Sequence, residues 1–551
     1  MSDHALASPA RSAVLDVAHT GDIIGALGTI YHGDLRHRNN WSRRLRTLAA
    51  IVGPGLIVMV GDNDAGAFGT YAQAGQNYGT ALLWTLLLLV PVLYVNQEMV
   101  LRLGAVTGVG HARLIMERFG KFWGAFSVID LFLLNGLTIV TEFIGINLAL
   151  GYLGVPRIAG IVVAAGIIIA AASTGSFRRF ERFSLALCFF SLLLIPVFVL
   201  VHPPLGQLGR DMIVPRLPTG SNLSDVMLLV IAIVGTTIAP WQLFFQQSYV
   251  IDKRITPRFM VYGRADLLIG IVIVVIGAIA LTAVAAAAFA GTAGFGHFSN
   301  AGAVASGLEA YGGRAAGVMF ALALLDASII GASAVSLSTA YAIGDVLTLR
   351  HSLHRKATDA KAFHAVYAGL IAIAAVLVLF GSDALLGLLT TAVQTLAGVL
   401  LPSATVFLLL LCNDKAVLGP WVNGRWLNVF TGAVIWVLVM LSIVLTAATL
   451  FPGLSGLAIL TVLGFGSAVG VLGFGAFAAL RRNDWRGPAK AGPRLRAELR
   501  SLRARWRMPP LDTLPPATWS VSKRVWMIVL RVYLFASVIM VAMKVVQMTT
   551  G

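Results

Sequence analysis

The stretch that decides the fold is Gly61-Asp62-Asn63-Asp64-Ala65-Gly66, which interrupts an apolar run near its middle. A second interruption, Gly235-Thr236-Thr237-Ile238-Ala239-Pro240-Trp241-Gln242, divides the sixth apolar run in the same way. Within hydrocarbon an unwound turn leaves backbone carbonyls unpaired, which is tolerated only where they face protein, water or a bound ion. Interrupted spanning helices surround the substrate site of many secondary transporters, so we expect the functional site between the two breaks.

The composition of the chain is that of a membrane protein. Of its 551 residues, 58% are hydrophobic and only 12% are charged. Soluble proteins carry charge on about a quarter of their residues, so a soluble fold is excluded. Apolar runs of about 20 residues are long enough to cross a bilayer as helices. They predict an all-α polytopic membrane protein with spans near 48–75, 80–104, 122–152, 157–174, 183–202, 226–250, 264–290, 313–345, 363–380, 383–412, 427–449 and 455–480, and a thirteenth near 524–547.

Basic residues alternate between the predicted loops as the positive-inside rule requires. Arginines precede the first span, and further basic groups, such as Arg178, Arg179 and Arg182, follow the fourth, sixth and eighth spans. This pattern predicts a cytosolic N-terminus. The arm 1–46 is polar and has no continuous apolar core, so we expect no cleaved signal peptide. The chain is predicted to be a multi-pass protein of the cytoplasmic membrane.

The net charge of +17 indicates contact with anionic lipid, which attracts each basic residue near the surface by about 1 kcal/mol. The most basic segment, 481–507, lies between two predicted spans and contains few aromatic residues, so a nucleic-acid partner is not expected. Cys188 and Cys412 lie far apart and form neither a CxxC metal site nor a disulfide framework. We expect a protein that is not an enzyme and holds no cofactor.

The two broken spans are each the first of a set of five, which predicts an inverted five-helix repeat. The repeat would bring both breaks together at the middle of the membrane. The predicted organisation is an N-terminal arm 1–46, a first repeat with the broken sixth span 47–250, the rest of the second repeat 251–412, two further spans 413–480, a basic cytosolic linker 481–523 with a short helix at 494–507, and a final span within 524–551.

Asp64 is the first candidate for binding a cation. A carboxylate within a span costs roughly 2.5–3.5 kcal/mol on insertion scales and is rarely kept without a partner. The alternative role is structural, because Asp is a favourable N-cap for the half-helix that begins near Ala67. Asp62 and Asn63 add oxygen atoms to the same break, although either could serve only as part of the helix end.

The second break offers backbone carbonyls and amides. Pro240 cannot donate a backbone hydrogen bond, so the carbonyls near Thr236 to Ala239 are freed as hard oxygen ligands. Gln242 and Gln246 are four residues apart and share one helix face, where they bind either the ion or a neighbouring helix. Trp241 either closes the site or packs. Elsewhere the polar residues within spans are Asp130, Glu142, Asp326 and Gln394.

Several segments resemble those of the Nramp family of divalent metal transporters, over residues from Pro54 to about Leu450. Gly53-Pro54-Gly55 and Asp64-Ala65-Gly66-Ala67 are similar to the GPG and DPGN motifs of its first helix, and Ala239-Pro240-Trp241-Gln242-Leu243 is similar to MPHNL of its sixth. Further similar segments are Arg102-Leu103-Gly104, Thr107-Gly108, Glu117-Arg118 and Arg425-Trp426-Leu427-Asn428-Val429. The resemblance implies a LeuT-like inverted repeat.

Departures from the family pattern bear on the choice of ion. The family's Asp remains as Asp64, whereas its Asn is replaced by Ala67 and its sixth-helix Met by Ala239; Gln394 aligns with a tenth-helix Gln of the family's metal site. Thioether sulfur favours soft transition metals, and oxygen-only sites suit Mg²⁺, Ca²⁺ and Mn²⁺. Mg²⁺ keeps several of its waters, so a wider oxygen-lined site fits it.

Other departures concern protons. In the family, acidic residues of the third helix and the sixth-helix His take part in proton coupling; here those positions are Ile139, Glu142 and Trp241. The chain therefore resembles the Nramp-related magnesium transporters. We expect alternating-access uptake of Mg²⁺ and Mn²⁺ that is not, or is only weakly, coupled to protons. The alternatives are a proton-coupled Mn²⁺/Fe²⁺ symporter, for which Asp326 could supply a substitute carboxylate, a carrier of a small organic substrate, and a non-transporting metal sensor.

Overall fold

The computed structural model describes residues 14–34, 38–218, 220–450, 456–480, 501–517, 524–528, 530–533 and 535. Almost all of the regular structure in this part of the chain is helical, as predicted. Most of the predicted basic linker and of the predicted span 524–547 lies outside the described residues. Within them, residues 501–505 are helical, as are the described residues from 524 onwards.

The helices of the first half are α1 Trp41–Ile51, α2 Pro54–Val60, α3 Ala65–Tyr78, α4 Leu83–Thr107, α5 His111–Phe119, α6 Lys121–Tyr152, α7 Arg157–Ser173, α8 Phe177–Phe190, α9 Leu194–Val201, α10 Leu205–Ile213, α11 Leu223–Thr237 and α12 Pro240–Asp252. Those of the second half are α13 Met260–Phe289, α14 Ala301–Gly312, α15 Arg314–Val346, α16 Lys361–Phe380, α17 Asp383–Cys412, α18 Lys415–Leu418, α19 Arg425–Leu450 and α20 Gly456–Leu480. One antiparallel hairpin, β1 Ile23–Gly25 and β2 Gly28–Ile30, precedes them.

Both predicted breaks interrupt a helix. The first span is divided into α2 and α3 by residues 61–64, and the sixth into α11 and α12 by Ile238 and Ala239. Pro240 is the first residue of α12, a position where a missing N–H costs no helical hydrogen bond. Asp64 is the N-cap of α3. The residues of each break therefore end one half-helix, and a capping residue or proline starts the next.

Eight helical stretches within the described ranges are long and apolar enough to cross a bilayer on their own. This number is lower than the thirteen predicted spans. The first predicted span consists of the short helices α2 and α3, and the fourth is the 17-residue helix α7. The stretch Leu396–Cys412 of α17 is long and apolar enough to cross a bilayer only together with Lys415–Trp421, and the two are bent by 66° relative to each other.

Small residues allow the helices around the breaks to approach one another closely. A side chain at Gly235 of α11 would clash with the backbone of Gly398 on α17, and one at Gly55 of α2 would clash with the backbone of Leu267 on α13. Close backbone approach at small residues is the usual way in which helices associate within membranes. It fixes α11 against α17 and α2 against α13, so both broken helices are held by neighbours from the second half.

The N-terminal segment 14–34, which the sequence presents only as a polar arm, is an ordered part of the fold. Its hairpin contacts α8, where the side chain of Arg178 donates to the Gly25 carbonyl and that of Arg182 to the Ala26 carbonyl. The Ala26 N–H donates to Glu181 at 2.5 Å. The arginines at 178, 179 and 182, expected in a loop, thus lie in the first turns of α8, which begins at Phe177.

A second set of contacts joins the segment 14–34 to the loop after α15. Asp16 forms an ion pair of 2.6 Å with Arg355 and accepts the His351 N–H. The imidazoles of His19 and His351 meet edge to face with centroids 5.1 Å apart. His19 Nε2 also lies 3.5 Å from a carboxylate oxygen of Asp252, the last residue of α12. The segment therefore connects three separate parts of the chain at one end of the helical bundle.

Candidate metal site

Asp64 occupies the start of α3 and is almost fully buried. One oxygen, Oδ1, accepts the backbone N–H of Ala67 at 2.9 Å, the bond of an N-capping residue. Ala67 thus enters the site through its backbone N–H. The capping role does not exclude an ion, because a carboxylate oxygen has more than one lone pair and Oδ2 takes no part in the cap.

Glu142, which the sequence offered only as a secondary polar residue, lies beside Asp64. Its Oε2 accepts the N–H of Ala65, the residue after Asp64, at 3.1 Å. Both side chains pack around Gly331 of α15, where an added Cβ would lie 2.7 Å from Glu142 Oε2 and 2.9 Å from Asp64 Cβ. Two buried carboxyl groups therefore meet at the start of α3.

Gln394 of α17 reaches the same point from the opposite side. Its amide lies directly over Gly66, so that an added Cβ at Gly66 would overlap the amide nitrogen, and Asp64 Oδ1 would be 3.2 Å from that Cβ. Gly66 is therefore required for space rather than for an unusual backbone conformation. The structure brings Asp64, Glu142 and Gln394 together.

Asp62 belongs to a second polar group beside the first. Gln242 Nε2 donates to Asp62 Oδ1, and Gln242 Oε1 accepts from Gln97 Nε2 of α4 at 2.7 Å. Asp62 Oδ2 is buried without a hydrogen-bond partner among the described residues. Close by, the hydroxyl groups of Tyr71 and Thr237 are 2.7 Å apart. The predicted contact between the two breaks is thus a direct bond from Gln242 to Asp62.

The other predicted residues of the second break differ in the contacts that they make. Ala239 is the N-cap of α12 and offers only backbone groups. Trp241 is fully buried, packs near Phe245 and Gly61, and its carbonyl accepts the Ser338 hydroxyl at 3.0 Å. Gln246 is buried, and neither its amide nitrogen nor its amide oxygen has a partner among the described residues. Packing accounts for Trp241, whereas Gln246 keeps two free polar atoms.

Asn63 and Asp326 lie away from this group. The Asn63 amide donates to the Val274 carbonyl of α13 at 3.1 Å, and Asp326 accepts the Ser191 hydroxyl at 2.9 Å. Adjacent residues of the first break therefore point to different helices, with Asp64 meeting Glu142 and Asn63 meeting α13.

Together these side chains form an environment of oxygen and nitrogen donors. All polar contacts that the structure describes for Asp62, Asp64 and Glu142 are with amide groups, backbone groups or each other. No group of three or more His, Cys, Asp and Glu side chains with metal-binding geometry occurs among the described residues. An ion at this site would therefore depend on carboxylates combined with amide and backbone oxygens, the donors that hard cations prefer.

Three residues that take part in these contacts were not predicted from the sequence: Gln97, Tyr71 and Gly331. A signal existed for Gln97, because Asn96-Gln97-Glu98 places three polar residues in succession within an apolar span. Nothing in the sequence singles out Tyr71 or Gly331. Hydroxyl groups and glycines are common in membrane helices, so their role depends on which helix faces them.

Comparisons with known proteins point to one family. A family model described as natural resistance-associated macrophage protein-like, Nramp, matches residues 55–448. The chain is 29% identical over 424 residues to the divalent metal cation transporter MntH of Ralstonia nicotianae, covering 72% of this chain and 89% of that protein. It is 29% identical over 422 residues to the divalent metal cation transporter MntH 1 of Pseudomonas aeruginosa, covering 70% and 88%.

Among solved structures, the manganese transporter of Eremococcus coleocola has a similar fold. The TM-score is 0.60 at 20% sequence identity, with 81% of this chain and 97% of that chain covered. This likeness confirms the predicted all-α, LeuT-like class of fold. Since the family model extends over more than half of the sequence, the chain belongs to the Nramp family and is a multi-pass transporter of divalent metal cations.

Proposed function

We propose that the protein takes up Mg²⁺, and also Mn²⁺, by alternating access around a site at the two helix breaks. Asp64 would supply the negative charge, with the Gln394 amide, the Gln242 amide and the freed carbonyls near Ala239 as neutral oxygen ligands and Asp62 as a second carboxylate. The proposal includes a cytosolic N-terminus in the cytoplasmic membrane, which the distribution of basic residues supports.

The observation that carries the choice of ion is the chemistry around Asp64. The positions at which the resemblance places a thioether and an amide are Ala239 and Ala67, so neither a sulfur nor a long side chain reaches the ion from them. Oxygen ligands suit Mg²⁺ and Mn²⁺, and Mg²⁺ in particular keeps several waters that need space. An alanine side chain takes up less of that space than methionine or asparagine would.

The absence of an imidazole at position 241 supports uptake that is weakly coupled to protons, or not coupled at all. Trp241 does not titrate, and its carbonyl and ring are engaged in packing contacts. Histidine is the side chain whose charge ordinarily changes near neutral pH. Without a histidine at this position, the site lacks the side chain that would ordinarily carry a proton along with the metal.

A second candidate, proton-coupled Mn²⁺ symport, is favoured by one observation. The side chains of Asp64 and Glu142 both pack around Gly331 at the start of α3. Neighbouring carboxyl groups do not both ionise readily, so metal binding at Asp64 would displace a proton from the pair. That proton could then move with the metal.

Flux measurements in proteoliposomes distinguish the two candidates. Mg²⁺ and Mn²⁺ entry would be followed together with an internal pH dye, using the Asp64→Ala protein as the control. Entry of Mg²⁺ without acidification is the expected result. Entry of Mn²⁺ with acidification and without Mg²⁺ entry would establish the second candidate, and equal uptake by Asp64→Ala would exclude the site.

A further inference from the structure

A cavity lies beside the first helix break. Its volume is about 90 Å³, and its walls come from the break itself, from the short turn between α8 and α9, from α13 and from α15. Most of the lining is apolar; Asn63 and Ser191 are its polar members. A space of this size is several times what a single water requires, so it can hold an ion with part of its water shell.

Two buried oxygens have no hydrogen-bond partner among the described residues: Oδ1 of Asn63, which lines the cavity, and Oδ1 of Asp326, which does not line it directly. Asn63 is 7% exposed and Asp326 is 6% exposed, so bulk water does not satisfy them. Ser191, on the cavity wall, donates its hydroxyl to the other oxygen of Asp326 at 2.9 Å. Ala323, one helical turn before Asp326, lines the same cavity. Asp326 is therefore attached to the cavity through Ser191 and α15.

The charge of Asp326 is also uncompensated in the described part of the chain. Its only polar contact there is with Ser191, and no lysine, arginine or histidine forms an ion pair with it. A buried charge without a partner is strongly unfavourable, and an ionisable residue within a membrane span is a functional candidate for that reason. A cation in the cavity would remove the cost.

We propose that Asp326, Asn63 and Ser191 form a second cation site, which takes a monovalent alkali ion of the size of Na⁺. The three groups supply carboxylate, amide and hydroxyl oxygens, and waters in the cavity complete the shell. One carboxylate neutralises one positive charge, whereas a divalent ion would keep a net charge among mostly apolar walls. The binding step does not depend on which divalent metal is transported.

The position of this second site connects it to the first. Asn63 and Asp64 are consecutive residues of one break, and Asp326 and Gly331 are five residues apart on α15, about 7.5 Å along the helix axis at 1.5 Å per residue. An ion on Asn63 would fix the break in the conformation that presents Asp64 to Glu142. Ions that couple to transport bind near broken helices in transporters of this architecture in general, close to the substrate.

The test is thermal unfolding of the purified full-length protein in detergent, without divalent metal, in NaCl and in choline chloride at equal ionic strength. A ligand that binds only the folded state raises Tm as its concentration increases. Wild type is expected to gain stability from Na⁺. Asp326→Asn should lose that gain, and Asp130→Asn, which removes a carboxylate from another span, should keep it.

Ser191→Ala provides a milder variant in case Asp326→Asn does not fold. It keeps the charge but removes one oxygen ligand, so the same rise in Tm should require a higher Na⁺ concentration. An equal Na⁺ response in wild type and Asp326→Asn would overturn the proposal, as would no Na⁺ response in wild type. A wild type stabilised by low pH alone, with Asp326→Asn insensitive, would mean that Asp326 binds a proton instead. Each of these readings is independent of the flux experiments with Mg²⁺ and Mn²⁺.

Discussion

At the scale of single residues, the metal site depends on space as much as on charge. Gly66 leaves room for the Gln394 amide, and Gly331 leaves room for the paired carboxyl groups of Asp64 and Glu142. Neither glycine has a backbone conformation that requires glycine. Their importance therefore lies in the side chains that pass over them, and substitution by alanine isolates that effect.

We predict that Gly66→Ala sharply reduces metal uptake while the protein still inserts and folds. Alanine favours helices more than glycine does, so α3 itself would not be weakened. The added methyl group must displace the Gln394 amide, and overpacking of this kind costs about 1–3 kcal/mol. Uptake in proteoliposomes checks the prediction. Gly166→Ala is the matched control, because a Cβ at Gly166 of α7 meets no atom within 4 Å.

Gln97 provides a second prediction at this scale. Gln97→Leu would leave the Gln242 side-chain carbonyl without its donor and free the amide to rotate away from Asp62. Loss of one partner of a buried hydrogen bond costs about 1–3 kcal/mol. Metal affinity measured in binding titrations should fall in Gln97→Leu. It should fall at least as far in Gln97→Glu, because an ionised glutamate cannot donate a hydrogen bond. Unchanged affinity in both variants would remove Gln97 from the site.

The sequence was sufficient to predict that the two breaks meet and that Asp64, Gln242 and Gln394 lie near one another, but not that Gln242 donates to Asp62. Those predictions rest on chemistry that is rare within a membrane, a lone carboxylate and amides on a half-helix, together with the family resemblance. The sequence did not predict that Asn63 turns to α13 while Asp64 turns to α6. Consecutive residues of an irregular segment have no fixed periodicity, so their directions depend on the surrounding helices.

At the scale of helical elements, the short helix α2 is anchored by one carboxylate from another helix. Asp266 of α13 accepts the N–H groups of Gly53, Gly55 and Leu56 at 3.0, 2.7 and 3.2 Å. The first N–H groups of a helix have no partner within it, and a negative charge there also interacts favourably with the helix dipole. Seven residues could hardly persist as a helix without such support.

We predict that Asp266→Ala lowers the free energy of unfolding by about 1–3 kcal/mol, because three buried donors lose their acceptor. Metal uptake should fall as well, since α2 carries the first half of the broken span. Thermal unfolding and flux assays measure the two effects. Asp225→Ala, which removes an exposed carboxylate at the start of α11, should change both only slightly.

The sequence predicted the breaks of both helices but not this anchor. The two breaks are visible because glycine, proline and charged residues interrupt an apolar run. An anchor from Asp266 requires knowledge that α13 packs on α2, and a membrane helix with a single carboxylate near its end resembles many others. Packing partners within the bundle were accordingly the part of the fold that the sequence left open.

At the scale of the whole molecule, segment 14–34 holds one end of the bundle together through charged groups. Burial alone would raise the pKa of Asp16, but its hydrogen bonds with Arg355 and the backbone lower it to about 2. Burial alone would lower the pKa of His351, but the nearby Asp345 carboxylate raises it to about 9. Burial lowers the pKa of His19, which favours its neutral form beside Asp252.

These shifts define the pH range in which the segment is bound most firmly. The contribution of His351, whose pKa is raised from 6.5, is complete below about 6.5 and is lost as pH rises through about 9. The contribution of Asp16, whose pKa is lowered from 3.8, is complete above about 3.8 and is lost as pH falls towards about 2. The contacts are therefore strongest between these limits.

Hydrogen exchange can test this range. After correction for intrinsic rates, amides of residues 14–34 should exchange faster at pH 10 than at pH 7, because neutral His351 no longer pairs with Asp345. In His351→Asn most of that difference should be absent. Amides 14–34 of this variant should exchange at pH 7 as fast as those of wild type do at pH 10. Equal protection of wild type at both pH values would show that the charge of His351 does not hold the segment.

The pairing of Asp16 with Arg355 also sets an order of events during synthesis. The two residues are 339 positions apart, so the partner of Asp16 is made long after Asp16 itself. At about 5–20 residues per second, the ribosome needs roughly 17–70 seconds to supply it. During that interval the first eight apolar segments enter the membrane, and Asp16 has no Arg355 to pair with. Packing of segment 14–34 against the helical bundle is thus a late step of biogenesis. A fusion partner at the N-terminus that delays this packing would leave a bundle that is fully inserted but lacks the contacts of segment 14–34.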